Sequence, residues 1–159
     1  MNGWLFPASL DLSVAQGTAA KVDMAEDVFR QVAPSEPIHY EGGPLRIVVV
    51  DVGVKDNIAR SLLERGASVH RVPWHARLAD HTAEADGIVI GNGPGDPADL
   101  GALVAQVRLL LDSFRKPIFG ICLGNQILAL AAGGKTYKLP YGHRGVNQPV
   151  QDLLSRRCY

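Results

Sequence analysis

The sequence lacks several features that would point to a membrane, a disulfide scaffold or a metal site. It contains only two cysteines, and Cys122 and Cys158 form neither a CxxC pair nor a metal-ligand spacing. No apolar run reaches the roughly 18 residues that a membrane-spanning helix needs. The amino-terminal stretch has no basic region and is broken by Pro7, so we expect no signal peptide.

The chain also lacks an excess of either charge. Its 16 Lys and Arg residues balance 16 Asp and Glu residues, which indicates no surface for nucleic acid and none for an anionic membrane. Two cysteines in such a chain are typical of a reducing compartment, so we expect a cytoplasmic protein. Hydrophobic residues make up 47% of the 159 residues, enough for the core of one domain.

Proline and glycine separate the first part of the sequence from the rest. Residues 1–44 contain one segment with helical spacing, at 21–32, and end in the sequence EGGP. We interpret 1–44 as an adaptor or linker and 45–159 as the folded domain.

From residue 45 onward, short β-branched runs alternate with amphipathic stretches. The runs at 45–52, 67–72, 85–92 and 116–121 predict buried parallel strands, and the stretches at 55–66, 96–114 and 123–134 predict helices. This order predicts an α/β fold with a doubly wound, flavodoxin-like, mostly parallel sheet. Ligands bind such sheets beyond the carboxyl ends of the strands, where two glycine-rich motifs lie.

The second of these motifs, FGICLGNQ at 119–126, places Cys122 between a strand and a helix. A strand followed by G-x-C-x-G and a helix is the cysteine form of the nucleophile elbow. Gly120 and Gly124 leave room for the tight turn. The sulfur would lie at a helix N-terminus, which favours the reactive thiolate. The alternative is a small buried cysteine of structural importance only.

The first motif, GNGPGDP at 91–97, is neither a Walker loop nor a G-x-G-x-x-G fingerprint. It leads into a predicted helix and could hold an anion or an oxyanion. A plain turn explains the glycines equally well, and both interpretations stay open on composition alone. We expect Asp96 to cap the helix that follows.

Residues 46–150 resemble the glutamine amidotransferase domain of carbamoyl phosphate synthase small chains, which belong to the class I, or triad, amidotransferases. The resemblance rests on IVVVDVGVKDNIARSLLERGASV (47–69), NGPGDP (92–97) and PIFGICLGNQILALAAGGKTYKLPYGHRGVNQPV (117–150). Asn125 stands where histidine is commoner in the family, a change that the elbow tolerates.

The resemblance implies a mechanism and a set of site residues. Cys122 would attack the side-chain amide of L-glutamine and form a glutamyl thioester. Leu123 and Gly93 would supply the oxyanion-hole amides, and Gly95 and Gln126 would help to bind the substrate. The implied partner is a carbamoyl phosphate synthase large chain, which would bind ATP and Mg²⁺. No cofactor is expected in this chain, and the product would feed arginine and pyrimidine biosynthesis.

The family's downstream histidine and glutamate, in a pattern like H-P-E, have no counterpart in the 159 residues. We expect a surface or loop role for His143 rather than that of the base. The chain alone is therefore expected to have little glutaminase activity, and its sheet to carry an open edge. There are two alternatives to an amidotransferase enzyme. One is a catalytically inactive scaffold that binds a synthetase large chain, and the other is a flavodoxin-like binder of small ligands.

Overall fold

Buried β-branched strands form the centre of the structure. A computed structural model describes residues 11, 13–14, 26–142 and 149–159, and these form a five-stranded sheet in the order β1-β3-β2-β4-β5. The strands are β1 (Ile38–Tyr40), β2 (Leu45–Asp51), β3 (Ala67–Pro73), β4 (Gly87–Ile90) and β5 (Ile118–Gly120). β1 pairs antiparallel with β3, and the other neighbours pair in parallel.

Helices cover both faces of the sheet. They are α1 (Glu26–Val32), α2 (Asp56–Leu63), α3 (Ala79–Thr82), α4 (Gly101–Ser113) and α5 (Leu123–Ala131), and a 3₁₀ turn at Pro97–Leu100 precedes α4. α2 packs on the face that presents Val49 and Val69. α4 and α5 pack on the opposite face, over Val50 and Ile88. The prediction of a doubly wound, flavodoxin-like fold is confirmed.

The predicted strands and helices exist, with ends that differ by a few residues. The helix predicted at 96–114 begins as a 3₁₀ turn, and the side chain of Asp96 accepts a hydrogen bond from the Ala98 amide, at 2.9 Å. The expected capping role of Asp96 is thereby confirmed. The helix predicted at 123–134 ends at Ala131, and Gly133 follows it with φ of +89°.

Residues 26–40 contribute more to the fold than a linker would. Phe29 of α1 is fully buried, and its ring lies 5.8 Å from that of Trp74. Strand β1 extends the sheet beyond β3. The separation of 1–44 from 45–159 stays a prediction, but the described part of the first segment packs into the core of the second.

The connections of the sheet place three loops at one end. β2 leads through α2 to β3 on one side, whereas β4 and β5 lie on the other side of β2. In doubly wound sheets, ligands bind beyond the carboxyl ends of the strands at such a reversal, which here lies between β2 and β4. The loops at 52–55 and 91–96 and the turn after β5 lie at this end of the sheet. Among the described residues, no helix combines the length and the apolar character needed to cross a bilayer.

Candidate functional site

The turn after β5 holds Cys122 in a strained backbone conformation. Its φ is 54° and its ψ is −108°, a combination that side chains with a Cβ rarely adopt. Cys122 is the N-cap of α5, and its carbonyl oxygen accepts hydrogen bonds from the amides of Asn125 and Gln126, at 3.1 and 3.3 Å. The cysteine is exposed. The geometry matches a nucleophile elbow, and the alternative of a buried structural cysteine is wrong.

The glycines on either side of Cys122 are required by close backbone contacts. A methyl group added to Gly120 would lie 2.6 Å from the Asn125 amide nitrogen. One added to Gly124 would collide with the carbonyl oxygen of Ile90 at the end of β4. Any larger residue at these two positions would force the turn away from the sheet.

The elbow is bonded to the end of β4 and to the first residue of the loop that follows. The Gly124 amide donates to the carbonyl oxygen of Gly91 at 3.1 Å, and the Ile121 amide donates to that of Ile90 at 2.9 Å. The start of the GNGPGDP motif and the cysteine turn are therefore adjacent, although 27 positions separate Gly95 from Cys122 in the sequence.

The residues predicted for oxyanion and substrate binding lie in these two adjacent segments. Leu123 is the first residue of α5, so its amide has no acceptor within the helix. Gln126 follows Cys122 by four residues and is exposed, which puts both on one face of the helix. Gly93 and Gly95 lie in the loop after β4, and Gly95 has φ of +81°.

A base for Cys122 is not found among the described residues. None of the described histidines hydrogen-bonds to its sulfur, and His70 instead lies 3.1 Å from His81. His143 lies outside the described residues, so its predicted role remains a prediction. Within the ranges that the structure describes, no cluster of His, Cys, Asp and Glu has a geometry suited to a metal ion.

A cavity beside His70 and His81 lies at the end of the sheet opposite to Cys122. It is lined by the first half of β2 and β3, including Arg46, Ser68 and His70. The predicted site residues are at the carboxyl ends of the strands instead. The cavity is therefore separate from the cysteine site.

Sequence reasoning missed a buried ion pair beside the site. Asp51, at the end of β2, is fully buried, and its Oδ2 lies 2.7 Å from Nη2 of Arg71 on β3. Burial alone would lower the pKa of Arg71, but the hydrogen bonds and charge of Asp51 outweigh burial and raise that pKa. A single charged residue inside an apolar strand, as in ASVHRVP, was the available signal.

The chain is similar to known proteins over most of its length. The family profile for glutamine amidotransferase class-I matches residues 48–157. The chain is 47% identical over 135 residues to the carbamoyl phosphate synthase arginine-specific small chain of Schizosaccharomyces pombe, covering 84% of this chain and 32% of that one. It is 40% identical to the carbamoyl phosphate synthase small chain of Pyrococcus furiosus, covering 100% of this chain and 44% of that one.

A solved structure is similar as well. A putative GMP synthase subunit from Thermoplasma acidophilum has a TM-score of 0.50 and 29% identity, covering 59% of this chain and 47% of that one. The chain spans between about a third and a half of the length of these proteins. The family profile covers well over half of the chain and includes both glycine-rich motifs, the second of which is the elbow. The chain therefore belongs to the class-I glutamine amidotransferase family.

Proposed function

We propose that this chain is the glutamine-handling part of a carbamoyl phosphate synthase small chain. The observation that carries the proposal is the elbow, which presents an exposed cysteine in a strained turn at the start of α5. Identities of 40–47% to proteins named as carbamoyl phosphate synthase small chains support the assignment to this enzyme over other amidotransferases.

In the proposed reaction, the Cys122 thiolate attacks the side-chain carbonyl carbon of L-glutamine. The carbonyl oxygen becomes an oxyanion and accepts hydrogen bonds from the amides of Leu123 and Gly93. The C–N bond then breaks, a proton is added to the leaving nitrogen, and ammonia departs. The remaining glutamyl thioester is hydrolysed by water to glutamate, which restores the thiol.

The substrate would lie between the two glycine-rich segments. Gly95 and Gln126 border the surface on which Cys122 is exposed, and we assign them to glutamine binding. The ammonia would pass to a carbamoyl phosphate synthase large chain, which would bind ATP and Mg²⁺. The product would serve arginine and pyrimidine biosynthesis, in the cytoplasm.

Selective modification of the cysteine tests the proposal. A chloromethyl ketone whose ketone replaces the side-chain amide of glutamine should alkylate Cys122 faster than Cys158, and excess L-glutamine should slow only the first reaction. Cys158 is the matched control because it is also exposed but lies outside any elbow. Mass spectrometry of the peptides that contain Cys122 and Cys158 gives the two alkylation rates. The fast alkylation should be absent in Cys122→Ala.

Turnover by the purified chain should be slow. Among the described residues no histidine bonds to the sulfur, and proton transfer by a positioned base contributes roughly 10²–10⁴ to a rate. Fast release of ammonia, abolished by Cys122→Ala, would contradict that expectation. Labelling of Cys122 no faster than that of Cys158, with the chain still co-eluting with a large chain, would establish the scaffold alternative instead.

A further inference from the structure

The buried ion pair between β2 and β3 is the starting point. The Asp51 carboxylate is fully buried, and the Arg71 side chain is 10% exposed. Oδ2 of Asp51 accepts from both Nε and Nη2 of Arg71, at 2.9 and 2.7 Å. The third nitrogen of the guanidinium, Nη1, donates to Oδ1 of Asp56 at 2.8 Å. A buried carboxylate held by a guanidinium fork has a fixed position.

The other oxygen of the same carboxylate holds the loop that follows β2. Oδ1 of Asp51 accepts hydrogen bonds from the amides of Gly53 and Val54, both at 2.8 Å. The next amide, that of Lys55, donates to the side-chain oxygen of Asn92 at 3.1 Å. The carboxylate thus fixes residues 52–55, and these bind the loop that follows β4.

The two loops are also in direct contact through their glycines. A methyl group added to Gly91 would collide with Cγ2 of Val54, and one added to Gly93 would collide with the carbonyl oxygen of Val52. The backbone of the second loop therefore rests on that of the first. Any movement of residues 52–54 would shift the amide of Gly93.

We propose that Asp51 and Arg71 are positioning residues that hold the Gly93 amide in place as an oxyanion donor for Cys122. The inference rests on the proposed amidotransferase function and deepens it. Neither side chain touches the substrate. Both act through the loop at 52–55, and a shift of about 1 Å in a donor is enough to reduce a rate by roughly two orders of magnitude.

The variant that tests this proposal is Arg71→Lys. Lysine keeps the positive charge beside Asp51 but loses the fork that fixes the carboxylate. The matched control is Arg46→Lys, on strand β2, because Arg46 forms an ion pair with Glu84 that is largely exposed and distant from the site. This control measures the effect of an arginine-to-lysine change away from the site, and the protection of α4 reports any general loss of stability.

Two measurements separate positioning from a structural role. The first is amide hydrogen exchange at Gly53, Val54 and Lys55, which donate to Asp51 and Asn92; it should be faster by about tenfold in Arg71→Lys while α4 keeps its protection. The second is the rate at which Cys122 reacts with the chloromethyl ketone, divided by its rate with iodoacetamide. Iodoacetamide develops no oxyanion, so the ratio should fall about tenfold in Arg71→Lys. Neither quantity should change in Arg46→Lys.

Each outcome decides a separate question. Unchanged exchange at residues 53–55 in Arg71→Lys would overturn the proposal. Faster exchange with an unchanged ratio would overturn it too, provided that the wild-type protein prefers Cys122 over Cys158. A third outcome is faster exchange in Arg71→Lys when the reagent does not prefer Cys122 over Cys158 in the wild type. In that case the ion pair still positions the loop, but the proposed amidotransferase function is refuted.

A second variant applies if Arg71→Lys does not fold. The double change Asp51→Asn with Arg71→Gln removes both buried charges together, so that neither is left without its counter-charge. Asparagine can still accept from the loop amides, but the fork is gone. The same increase in exchange and the same fall in the reactivity ratio are expected, and their absence would overturn the proposal.

Discussion

At the scale of single residues, the most informative feature is the backbone of Cys122. Its φ of 54° is unfavourable for a residue with a Cβ, and the turn holds it there through the contacts of Gly120 and Gly124. Strain of this kind persists where the surrounding structure imposes it. The backbone of Cys122 therefore lowers the stability of the fold, and the same conformation exposes the cysteine side chain.

Replacing the cysteine by glycine should release that strain. We expect Cys122→Gly to raise the free energy of unfolding by about 1 kcal/mol, since glycine adopts positive φ without steric cost. Cys122→Ala keeps the Cβ, so its free energy of unfolding should stay near that of the wild type. Urea denaturation of the three proteins gives the comparison. A glycine variant less stable than the alanine variant would contradict the assignment of strain to this residue.

At the residue scale, the sequence predicted the geometry of the turn at Cys122, because two glycines flanking a cysteine between a strand and a helix are typical of a nucleophile elbow. It could not reveal Asp51 and Arg71 as a pair. Their positions are 20 residues apart, and only the parallel pairing of β2 with β3 brings them together. Long-range pairing is not encoded in any local pattern.

At the scale of elements, α1 differs from what its sequence suggests. Proline and glycine around it indicated a linker, but Phe29 fills a place beside Trp74, and its ring would lie 2.7 Å from a methyl group on Gly95. One large apolar residue decides the packing of a short helix. Composition averages over 44 residues and hides that single contact.

Removal of the Phe29 ring tests whether α1 belongs to the core. Phe29→Ala should lower the free energy of unfolding by about 3 kcal/mol, the usual cost of emptying an aromatic site in a core. Gln31→Ala, on the exposed side of the same helix, should change it by less than about 0.5 kcal/mol. Urea denaturation measures both. A cost below about 1 kcal/mol for Phe29→Ala would mean that α1 is a detachable linker after all.

Three histidines, one each on β1, β3 and α3, lie close together. Nε2 of His70 lies 3.1 Å from Nδ1 of His81, and the rings of His39 and His70 are 5.8 Å apart. Nδ1 of His70 is buried and has no hydrogen-bond partner among the described residues. A proton on Nδ1 of His70 would have no acceptor among the described residues.

This arrangement makes the fold sensitive to acid. Burial, followed by the charges of His81 and His39, lowers the pKa of His70 below its ordinary value of about 6.5. The unfolded chain then binds the proton first, so the contribution of His70 to stability is complete above about pH 6.5 and is lost as the pH falls below it. Charged groups around the cluster are Arg46, Glu84 and Glu41.

The expected effect is measurable as a difference between variants. In the wild type, the free energy of unfolding should fall between pH 7.5 and 5.5 by more than in His70→Gln. The difference should be under about 1 kcal/mol, because solvent screens the partly exposed ring. His75→Gln, at an exposed histidine outside the cluster, should keep the wild-type dependence. An identical pH dependence in His70→Gln and the wild type would exclude this role.

At the scale of the whole molecule, the sheet was predictable, but the edge formed by β1 was not. Alternation of β-branched runs with amphipathic helices identifies a doubly wound fold, since each run must be covered on both faces. The antiparallel strand β1 is only three residues long, which is too short for a periodic signal. The outermost strand on the other side, β5, was predicted, but its exposure was expected only from the resemblance.

Strand β5 forms one edge of the sheet in the described part of the chain. Phe119 lies there beside Val89 and is 62% exposed, because α2 covers the same face only over β2 and β3. An edge strand with an exposed aromatic residue offers both unpaired backbone groups and apolar surface to another molecule. We therefore expect the purified protein to associate with itself through this edge.

A charge on the edge strand should suppress that association. Phe119→Lys should reduce light scattering at high protein concentration several-fold and should leave the free energy of unfolding within about 1 kcal/mol, since charged residues protect edge strands in natural sheets. Leu109→Lys is the matched control, because Leu109 is 68% exposed but lies on α4, where no backbone groups are free to pair. If the two variants reduced scattering equally, apolar exposure alone would explain the association, and the strand edge would have no part in it.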